Sequence, residues 1–247
     1  SRWCLLCKCK KQRVRVLVMG LTFLGLTFIG GFFHWGRAFS LQMSSQTMRS
    51  VNKDNTRYIR APWPSEQVLQ YAQSVLPLIP RLSLNGEPEW PLTYVLENRL
   101  CQRDGLWLEF GVWHGSSLRK IASYALPGSL VYGFDTFTGL PEPLKVDNWS
   151  YPAGFLSLHG FLPSVPPNVQ LIKGLFNETL PEFLKLHSNE IVSLLHIDSD
   201  LYSSAHFVLE ALSTHLRPGT IIVFDELVNF PAYLEQEFLS LYQFLDR

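Results

Sequence analysis

Carboxylate side chains stand at or near the ends of four apolar segments that are predicted to be short strands. They are Glu109, Asp135, Asp198 and the adjacent pair of Asp225 and Glu226. Because parallel strands of a doubly wound sheet bind ligands beyond their carboxyl ends, these acids are expected together at one rim. A single acid at such a position could equally cap a neighbouring helix, but chance is a poor explanation for four strand ends.

Three of these acids are suited to a hard divalent cation. Asp198 ends one predicted strand, and Asp225 and Glu226 end the next, so three oxygen ligands converge on one place. Mg²⁺ takes a few carboxylates and keeps positions for water or substrate. Such a cation could chelate a diol, lower the pKa of one hydroxyl and aim its oxygen at a methyl carbon. The sequence therefore predicts a Mg²⁺ site at Asp198, Asp225 and Glu226.

The first predicted strand runs into a turn that contains two glycines. Gly111 and Gly115 let the backbone pass close to a ligand, and a helix is predicted to begin at Ser116. Glu109 offers a carboxylate to a sulfonium cation, and Asp135 can take both hydroxyls of a ribose. The spacing differs from the dinucleotide fingerprint G-x-G-x-x-G. Up to this point, S-adenosylmethionine (SAM) and adenine dinucleotides fit equally well.

From residue 105 onward, apolar runs alternate with helical patterns. Predicted strands cover residues 106–111, 130–135, 168–173, 191–198 and 220–225. Predicted helices cover residues 116–124, 178–186, 203–216 and 232–245. The strands are continuous apolar runs, which is typical of a parallel sheet covered on both faces. We therefore expect an α/β fold with a doubly wound, Rossmann-like parallel sheet, preceded by a helix that Ser65 caps.

Five stretches of the chain occur in the order LEFGVWHGSS, VYGFDTFTGLPE, NVQLIKGLFNETLPEFL, LLHIDSDLYSSAHFVLEAL and LRPGTIIVFDEL. In this order they resemble the macrocin O-methyltransferase-like family of class I SAM-dependent methyltransferases. The resemblance extends over about residues 90–247, and the run HIDSDLYSS followed by PGTIIVFDE is its most specific part. The best-known members of that family methylate hydroxyls on sugars.

The resemblance implies a role for most of the residues singled out above. SAM would be bound by Glu109, Gly111, Gly115 and Asp135, and Ser116, which begins the next helix, is also a predicted SAM-binding residue. Mg²⁺ would be bound by Asp198, Asp225 and Glu226. The family's sheet usually closes with a C-terminal β-hairpin, and we expect this chain to lack it, which leaves five strands and a methyltransferase core without one substrate-side wall.

The general base is harder to assign. His159 lies in the aromatic-rich loop 142–167, which we expect to form a mobile lid, and it is the predicted catalytic base. His196 lies inside an apolar strand and is interpreted as a core histidine. Asp200 could support the metal site or cap the following helix.

Two functions from different classes stay open, with a third disfavoured. The first is a SAM-dependent, Mg²⁺-assisted O-methyltransferase acting on a hydroxyl of a sugar, glycan or other small molecule. The second is a catalytically silent scaffold subunit that keeps the methyltransferase fold. Buried carboxylates argue against a silent fold, which has no need of them. A nucleotide-sugar or NAD enzyme would call for a tighter glycine fingerprint.

The composition is that of a globular protein. The 247 residues are 47% hydrophobic and 17% charged, with no net charge, which argues against wholesale binding to nucleic acid. Three of the four cysteines fall within the first nine residues, and only Cys101 lies in the body of the chain. A disulfide framework is therefore not expected.

Residues 16–35 contain no Lys, Arg, Asp or Glu and, at about 1.5 Å per residue, could span a bilayer. The basic residues that precede them predict a single-pass, type II endomembrane or Golgi protein with a lumenal catalytic domain. A signal peptide is the alternative, and the topology could be inverted, because SAM is made in the cytosol. The expected divisions are a tail (1–15), a transmembrane helix (16–35), a stem (36–64) and the methyltransferase domain (65–247). Expected partners are the acceptor, the membrane and a second copy of the chain.

Overall fold

The computed structural model describes residues 65–78, 83–84, 87–88, 91–101, 104–146, 149–228 and 232–246. In chain order their strands are β1 (Ser83–Leu84), β2 (Glu87–Pro88), β3 (Leu106–Phe110), β4 (Val131–Asp135), β5 (Leu144–Val146), β6 (Trp149–Tyr151), β7 (Val169–Lys173), β8 (Val192–Ile197) and β9 (Ile221–Phe224). Their α-helices are α1 (Glu66–Val75), α2 (Pro91–Glu97), α3 (Ser116–Tyr124), α4 (Phe176–Leu186), α5 (Tyr202–Leu212) and α6 (Glu237–Leu245). Single 3₁₀ turns follow α1 and precede α6.

Five strands form the main sheet, in the order β7-β4-β3-β8-β9. Every neighbouring pair is parallel. The chain winds outward from β3 to β4 and β7, and then returns to the other side of β3 for β8 and β9. This reversal opens a crevice beyond the carboxyl ends of β3 and β8, where doubly wound folds bind their ligands. The predicted Rossmann-like parallel sheet is confirmed.

Helices cover both faces of this sheet. One face, which includes Phe110 and Phe134, packs against α1, α4, α5 and α6. The other face, which includes Trp107 and Leu194, packs against α2 and α3. Every residue of β3 and β8 is buried, which explains why these strands are continuous apolar runs rather than alternating ones.

The first described helix begins as the sequence predicts. Ser65 is the N-cap of α1, and its Oγ accepts a hydrogen bond from the backbone N–H of Val68 at 3.4 Å. A side-chain oxygen at this position satisfies one of the N–H groups that the first helical turn leaves unpaired. The buried face of α1, including Val68 and Ala72, then packs against the sheet core.

The loop that was expected to form a lid contains an antiparallel hairpin of β5 and β6. Leu144 and Val146 are buried on one face of this hairpin and pack in a cluster with Leu140 and Leu201. Because Leu201 directly precedes α5, the cluster docks the hairpin beside the carboxyl end of β8.

No helix among the described residues is both long and apolar enough to cross a membrane. The longest, α4 and α5, have 11 residues each, which is about 16 Å of rise against a hydrocarbon layer of about 30 Å. This finding does not support the predicted single-pass type II localisation or the transmembrane part of the predicted fold, and both predictions are corrected. The predicted tail (1–15), span (16–35) and stem (36–64) lie outside the described residues.

Candidate cofactor and metal site

Asp135, the last residue of β4, holds the glycine turn in place. Its Oδ2 accepts hydrogen bonds from the backbone N–H groups of Val112 and Trp113, both at 2.8 Å. Its Oδ1 accepts a third from the N–H of Phe137 at 2.7 Å. These three donors fix the orientation of the carboxylate at the sheet rim. Three of the about four acceptor sites of the carboxylate are thus used, and Oδ1 keeps one site at which a ribose hydroxyl can bind.

The turn between β3 and α3 requires its glycines. Gly111 has φ +93°, and a Cβ added there would lie 1.6 Å from the carbonyl oxygen of Asp198. Only a residue without a side chain fits this contact, which ties the turn to the end of β8. Gly115, with φ +76°, is the N-cap of α3. Ser116 is then the first helical residue, and its Oγ accepts a hydrogen bond from Arg119 at 3.4 Å.

The carboxyl ends of β8 and β9 carry a group of five acids, which we call the acid cluster. It consists of Asp198, Asp200, Asp225, Glu226 and, from the first turn of α6, Glu237. Burial, followed by repulsion from Asp225, raises the pKa of Asp198 well above its usual range. The same two causes, in the same order, raise the pKa of Asp200 to about 6.

Glu237 connects the two loops of the acid cluster. It is fully buried, and its Oε2 accepts a hydrogen bond from the backbone N–H of Glu226 at 3.0 Å. It also accepts one from the backbone of Ser199. Burial first, and then neighbouring carboxylates, raise the pKa values of both Glu226 and Glu237. Carboxyl groups that repel one another in this way favour protonation or a bound cation.

Three side chains of the described residues are close enough to bind one metal ion. A ring nitrogen of His196 and one carboxylate oxygen each of Asp198 and Asp225 lie within 4.8 Å of one another. Two of the three predicted Mg²⁺ ligands are thus brought together. The third, Glu226, lies in the same acid cluster, but its carboxyl group forms a hydrogen bond with Asp200.

Glu109 lies deeper in the sheet than a residue in direct contact with SAM is expected to lie. Its side chain is fully buried on the α2–α3 face of β3, and its Oε1 lies 2.8 Å from Nδ1 of His196 on β8. The other ring nitrogen, Nε2, is buried without a hydrogen-bond partner among the described residues. His196 is therefore a core histidine only in part, because one of its nitrogens remains to be satisfied.

His159, the catalytic base predicted from the sequence, lies in an exposed part of the loop after β6. Its side chain is exposed, its φ is +53°, and its backbone N–H donates to Ser157 Oγ at 2.9 Å. The N–H groups of Leu158 and Gly160 both donate to the carbonyl of Phe137. The segment around His159 is thus anchored to the loop after Asp135, and its assignment as catalytic base stays a prediction.

The sequence assigns no ligand role to three residues that lie at or beside the acid cluster. It predicts His196 as a core histidine and Asp200 as either a support of the metal site or a helix cap, and it predicts no role for Glu237. A sequence signal existed for Asp200, since it follows Asp198 by two residues at a strand end. No local signal exists for Glu237, because a glutamate in the first turn of a helix is ordinary.

A separate cavity of about 170 Å³ lies beside the amino-terminal half of β3. Val95, Cys101, Trp107 and Tyr124 are among the residues that line it. Burial raises the pKa of the Cys101 thiol to about 12, so this thiol is not a reactive nucleophile at neutral pH. The cavity includes none of the acids at the sheet rim.

Comparison with known proteins places this geometry in a wider context. Residues 108–227, just under half of the chain, match the model of a family described as a methyltransferase domain. The match begins inside β3 and ends just beyond β9, so it includes the glycine turn, Asp135 and the acid cluster except for Glu237. Together with the parallel sheet it supports a class I SAM-dependent methyltransferase, whereas the narrower macrocin-like assignment stays a prediction.

Two solved structures are similar to the chain. The crystal structure of CalS11, a calicheamicin methyltransferase, is 21% identical with a TM-score of 0.51, over 80% of this chain and 90% of that one. The apo structure of CalS11, described as a TDP-rhamnose 3′-O-methyltransferase, is 25% identical with a TM-score of 0.45, over 74% of this chain and 78% of that one. At this identity the first match supports the methyltransferase fold alone. No curated protein matches the sequence.

Proposed function

We propose that the chain is a SAM-dependent O-methyltransferase that uses a divalent cation to activate a hydroxyl of a sugar or another small molecule. The observation that carries the proposal is that Asp135, a carboxylate suited to a ribose hydroxyl, and the acid cluster, which is suited to a cation, lie at one sheet rim. Asp200 connects the two groups electrostatically, because burial and then the charges of both Asp225 and Asp135 raise the pKa of its carboxyl group. A donor and a metal-bound acceptor could therefore meet there in line, as methyl transfer requires.

On this proposal Asp135 orients the donor. Its carboxylate, already fixed by three backbone N–H groups, accepts a hydrogen bond from a ribose hydroxyl of SAM at the site left on Oδ1. The glycine turn places the backbone N–H groups of Val112 and Trp113 against the same carboxylate. Ser116 and Gly115 begin α3 beside it, so the positive end of that helix faces the donor's carboxylate.

The acid cluster fits a divalent cation on chemical grounds. Its carboxyls raise one another's pKa, and Glu226 Oε2 and His196 Nε2 are buried without a hydrogen-bond partner among the described residues. Asp198 and Asp225 would hold the cation, with Glu226 as the third predicted ligand. When bound, the cation chelates the acceptor and makes its hydroxyl more acidic.

Asp200 is the best-placed group to accept the hydroxyl proton. In the metal-free protein, burial and the charge of Asp225 raise the pKa of this carboxyl to about 6, and a carboxylate beside the cation is a suitable general base for a hydroxyl that the cation makes more acidic. It also interacts electrostatically with both Asp135 and Asp225. His159, predicted from the sequence, is the competing candidate, and substitution of each residue in turn separates the two.

Calorimetric titration of SAM into the protein tests the donor half of the proposal. We expect Asp135→Asn to weaken SAM binding by about ten- to a hundredfold, which is the value of losing hydrogen bonds to a charged group. Asp104→Asn, on an exposed residue before β3, is the matched control and should leave the affinity unchanged. Failure of the wild-type protein to bind SAM would contradict the proposal and favour the silent-scaffold alternative.

The acceptor half needs a transfer assay. The wild-type protein is incubated with SAM carrying a labelled methyl group and a panel of sugars that present vicinal diols, with a divalent cation or with a chelator. We expect label in an ether product only when the cation is present. The Asp225→Asn variant should bind SAM normally and lose transfer, because it removes a cation ligand without touching the donor site.

A further inference from the structure

A buried pair of side chains lies directly beneath the acid cluster. Glu109 of β3 and His196 of β8 are opposite one another in the sheet register. Their side chains are 0% and 1% exposed, and Glu109 Oε1 lies 2.8 Å from His196 Nδ1. Burial of two polar side chains inside a parallel sheet is costly unless their hydrogen-bonding groups are satisfied.

The pair leaves one nitrogen available. With Nδ1 engaged by Glu109, Nε2 is the ring nitrogen that can bind another group, and it has no partner among the described residues. Leaving such a group unsatisfied costs about 1–3 kcal/mol. A ligand at Nε2 would remove that cost.

The position of the acid cluster indicates where such a ligand would lie. Side chains alternate along a strand, so His196 and Asp198 project from the same face of β8. A ring nitrogen of His196 lies within 4.8 Å of carboxylate oxygens of both Asp198 and Asp225. The imidazole therefore completes a group of three ligands from two neighbouring strands.

We infer that His196 binds the cation through Nε2, and that the site consequently prefers a divalent transition-metal ion such as Mn²⁺ or Zn²⁺ to Mg²⁺. This inference deepens the proposed function and rests on it for its role in catalysis. Imidazole is a good ligand for transition metals, whereas Mg²⁺ prefers a shell made of oxygen atoms. Glu226, which forms a hydrogen bond with Asp200, would then support the site from outside the ligand set.

Glu109 has a defined part in this arrangement. A metal-binding histidine commonly donates its other ring N–H to a carboxylate, which fixes the tautomer and the orientation of the ring. Glu109 Oε1, at 2.8 Å from Nδ1 of His196, is placed to accept such a bond. It is thus a positioning residue for the cation site, in addition to any electrostatic effect that it has on the sulfonium donor.

The direct test is spectroscopic and uses the wild-type chain loaded with Mn²⁺ alone. We expect pulsed electron paramagnetic resonance to detect coupling between the Mn²⁺ electron spin and a ¹⁴N nucleus, as a bound imidazole produces. Calorimetry should give a dissociation constant for Mn²⁺ or Zn²⁺ that is at least about tenfold lower than that for Mg²⁺, in keeping with the ligand type.

Substitution then assigns the nitrogen. His196→Asn should abolish the ¹⁴N coupling, weaken Mn²⁺ binding by about a hundredfold and leave the Mg²⁺ affinity within a few-fold of wild type. His215→Asn is the matched control, because it removes another buried histidine, one that lies beyond the opposite end of β8 and contacts Thr214. Both variants are first compared by thermal unfolding in chelator, so that a loss of fold is recognised.

The outcomes keep the inference apart from the proposed function. Absence of ¹⁴N coupling in the wild-type protein, or equal affinities for Mg²⁺ and Mn²⁺, would overturn the inference, since a water molecule rather than a metal would then satisfy His196. SAM binding that depends on Asp135 would still stand in that case. Conversely, ¹⁴N coupling without SAM binding would refute the proposed function and leave His196 as a metal ligand.

Discussion

Replacement of Gly111 by alanine should be among the most damaging single changes at the site. The new Cβ would lie 1.6 Å from the carbonyl oxygen of Asp198 and 2.6 Å from its carbonyl carbon. Carbon and oxygen atoms in close contact normally stay at about 3.3 Å, so the end of β8 would have to move by more than 1 Å. Positive φ adds about 1–2 kcal/mol and the forced backbone shift about 1–3 kcal/mol. We expect a loss of about 2–5 kcal/mol in the free energy of unfolding.

Gly128→Ala is the matched control for this experiment. Gly128 also has a positive φ, +83°, but a Cβ there would meet nothing within 4 Å. It should therefore lose only the backbone contribution of about 1–2 kcal/mol. Urea denaturation followed by circular dichroism gives both values from the shift in midpoint at constant slope. Equal shifts for the two variants would refute the close approach of the turn to β8.

The same pair of variants tests whether the turn supports the cation site. Movement of the Asp198 carbonyl also moves the side chain that lies within reach of His196 and Asp225. We therefore expect Gly111→Ala to bind Mn²⁺ more weakly than Gly128→Ala does, measured by calorimetry at a temperature where both are folded. Identical Mn²⁺ affinities would mean that the turn and the acid cluster are mechanically independent.

Three further predictions follow from the described contacts. The pKa of Asp200 rises from 3.8 to about 6 on folding, so the folded state holds this proton more tightly than the unfolded state does. The metal-free protein should therefore lose stability, on the order of 3 kcal/mol, as the pH rises from about 4 past 6. Thermal unfolding with and without a divalent cation should show that the cation reverses this loss. Glu237→Gln, which removes a buried charge, should stabilise the chelator-treated protein by about 1–2 kcal/mol while it weakens Mn²⁺ binding, and a stability loss in chelator would contradict the repulsion argued above. Lys173→Met, which removes a 2.7 Å hydrogen bond to the carbonyl of Gly160, should speed proteolysis of the 152–167 loop, whereas Lys185→Met on the exposed surface of α4 should not.

Much of the fold was predictable because its elements are local. The continuous apolar runs predicted the five parallel strands to within two residues at each end, and α3 has the predicted bounds. The hairpin of β5 and β6 was missed because each strand has only three residues, too few for an alternating pattern to emerge. Burial of Leu144 and Val146 depends on Leu201, more than fifty residues away, and such a contact has no local signature.

The site was predictable in its position but not in its detail. Acids at the ends of parallel strands must share a rim, which is why Asp198 and Asp225 were expected together. Side-chain rotation decides which acid contacts a neighbouring acid and which one faces a cation. The hydrogen bond between Glu226 and Asp200 could therefore not be foreseen. His196 is buried, as predicted, but its contact with Glu109 could not be foreseen, because the register of two strands that are far apart in the sequence brings the two side chains together.

The energetic argument for a cation comes from the same residues. Every cause that shifts the pKa of Asp198 acts in the same direction: burial, and then the charges of Asp225, Asp200, Glu109 and Glu237. A site of this kind can be stable near neutral pH if its carboxyls hold protons, or if a positive charge lies among them. Protonated carboxyls would satisfy Nε2 of His196 only if one of them turned its O–H group toward that nitrogen, which has no partner among the described residues. A divalent cation meets both demands at once, since it offsets the repulsion among the carboxylates and accepts the lone pair of the imidazole.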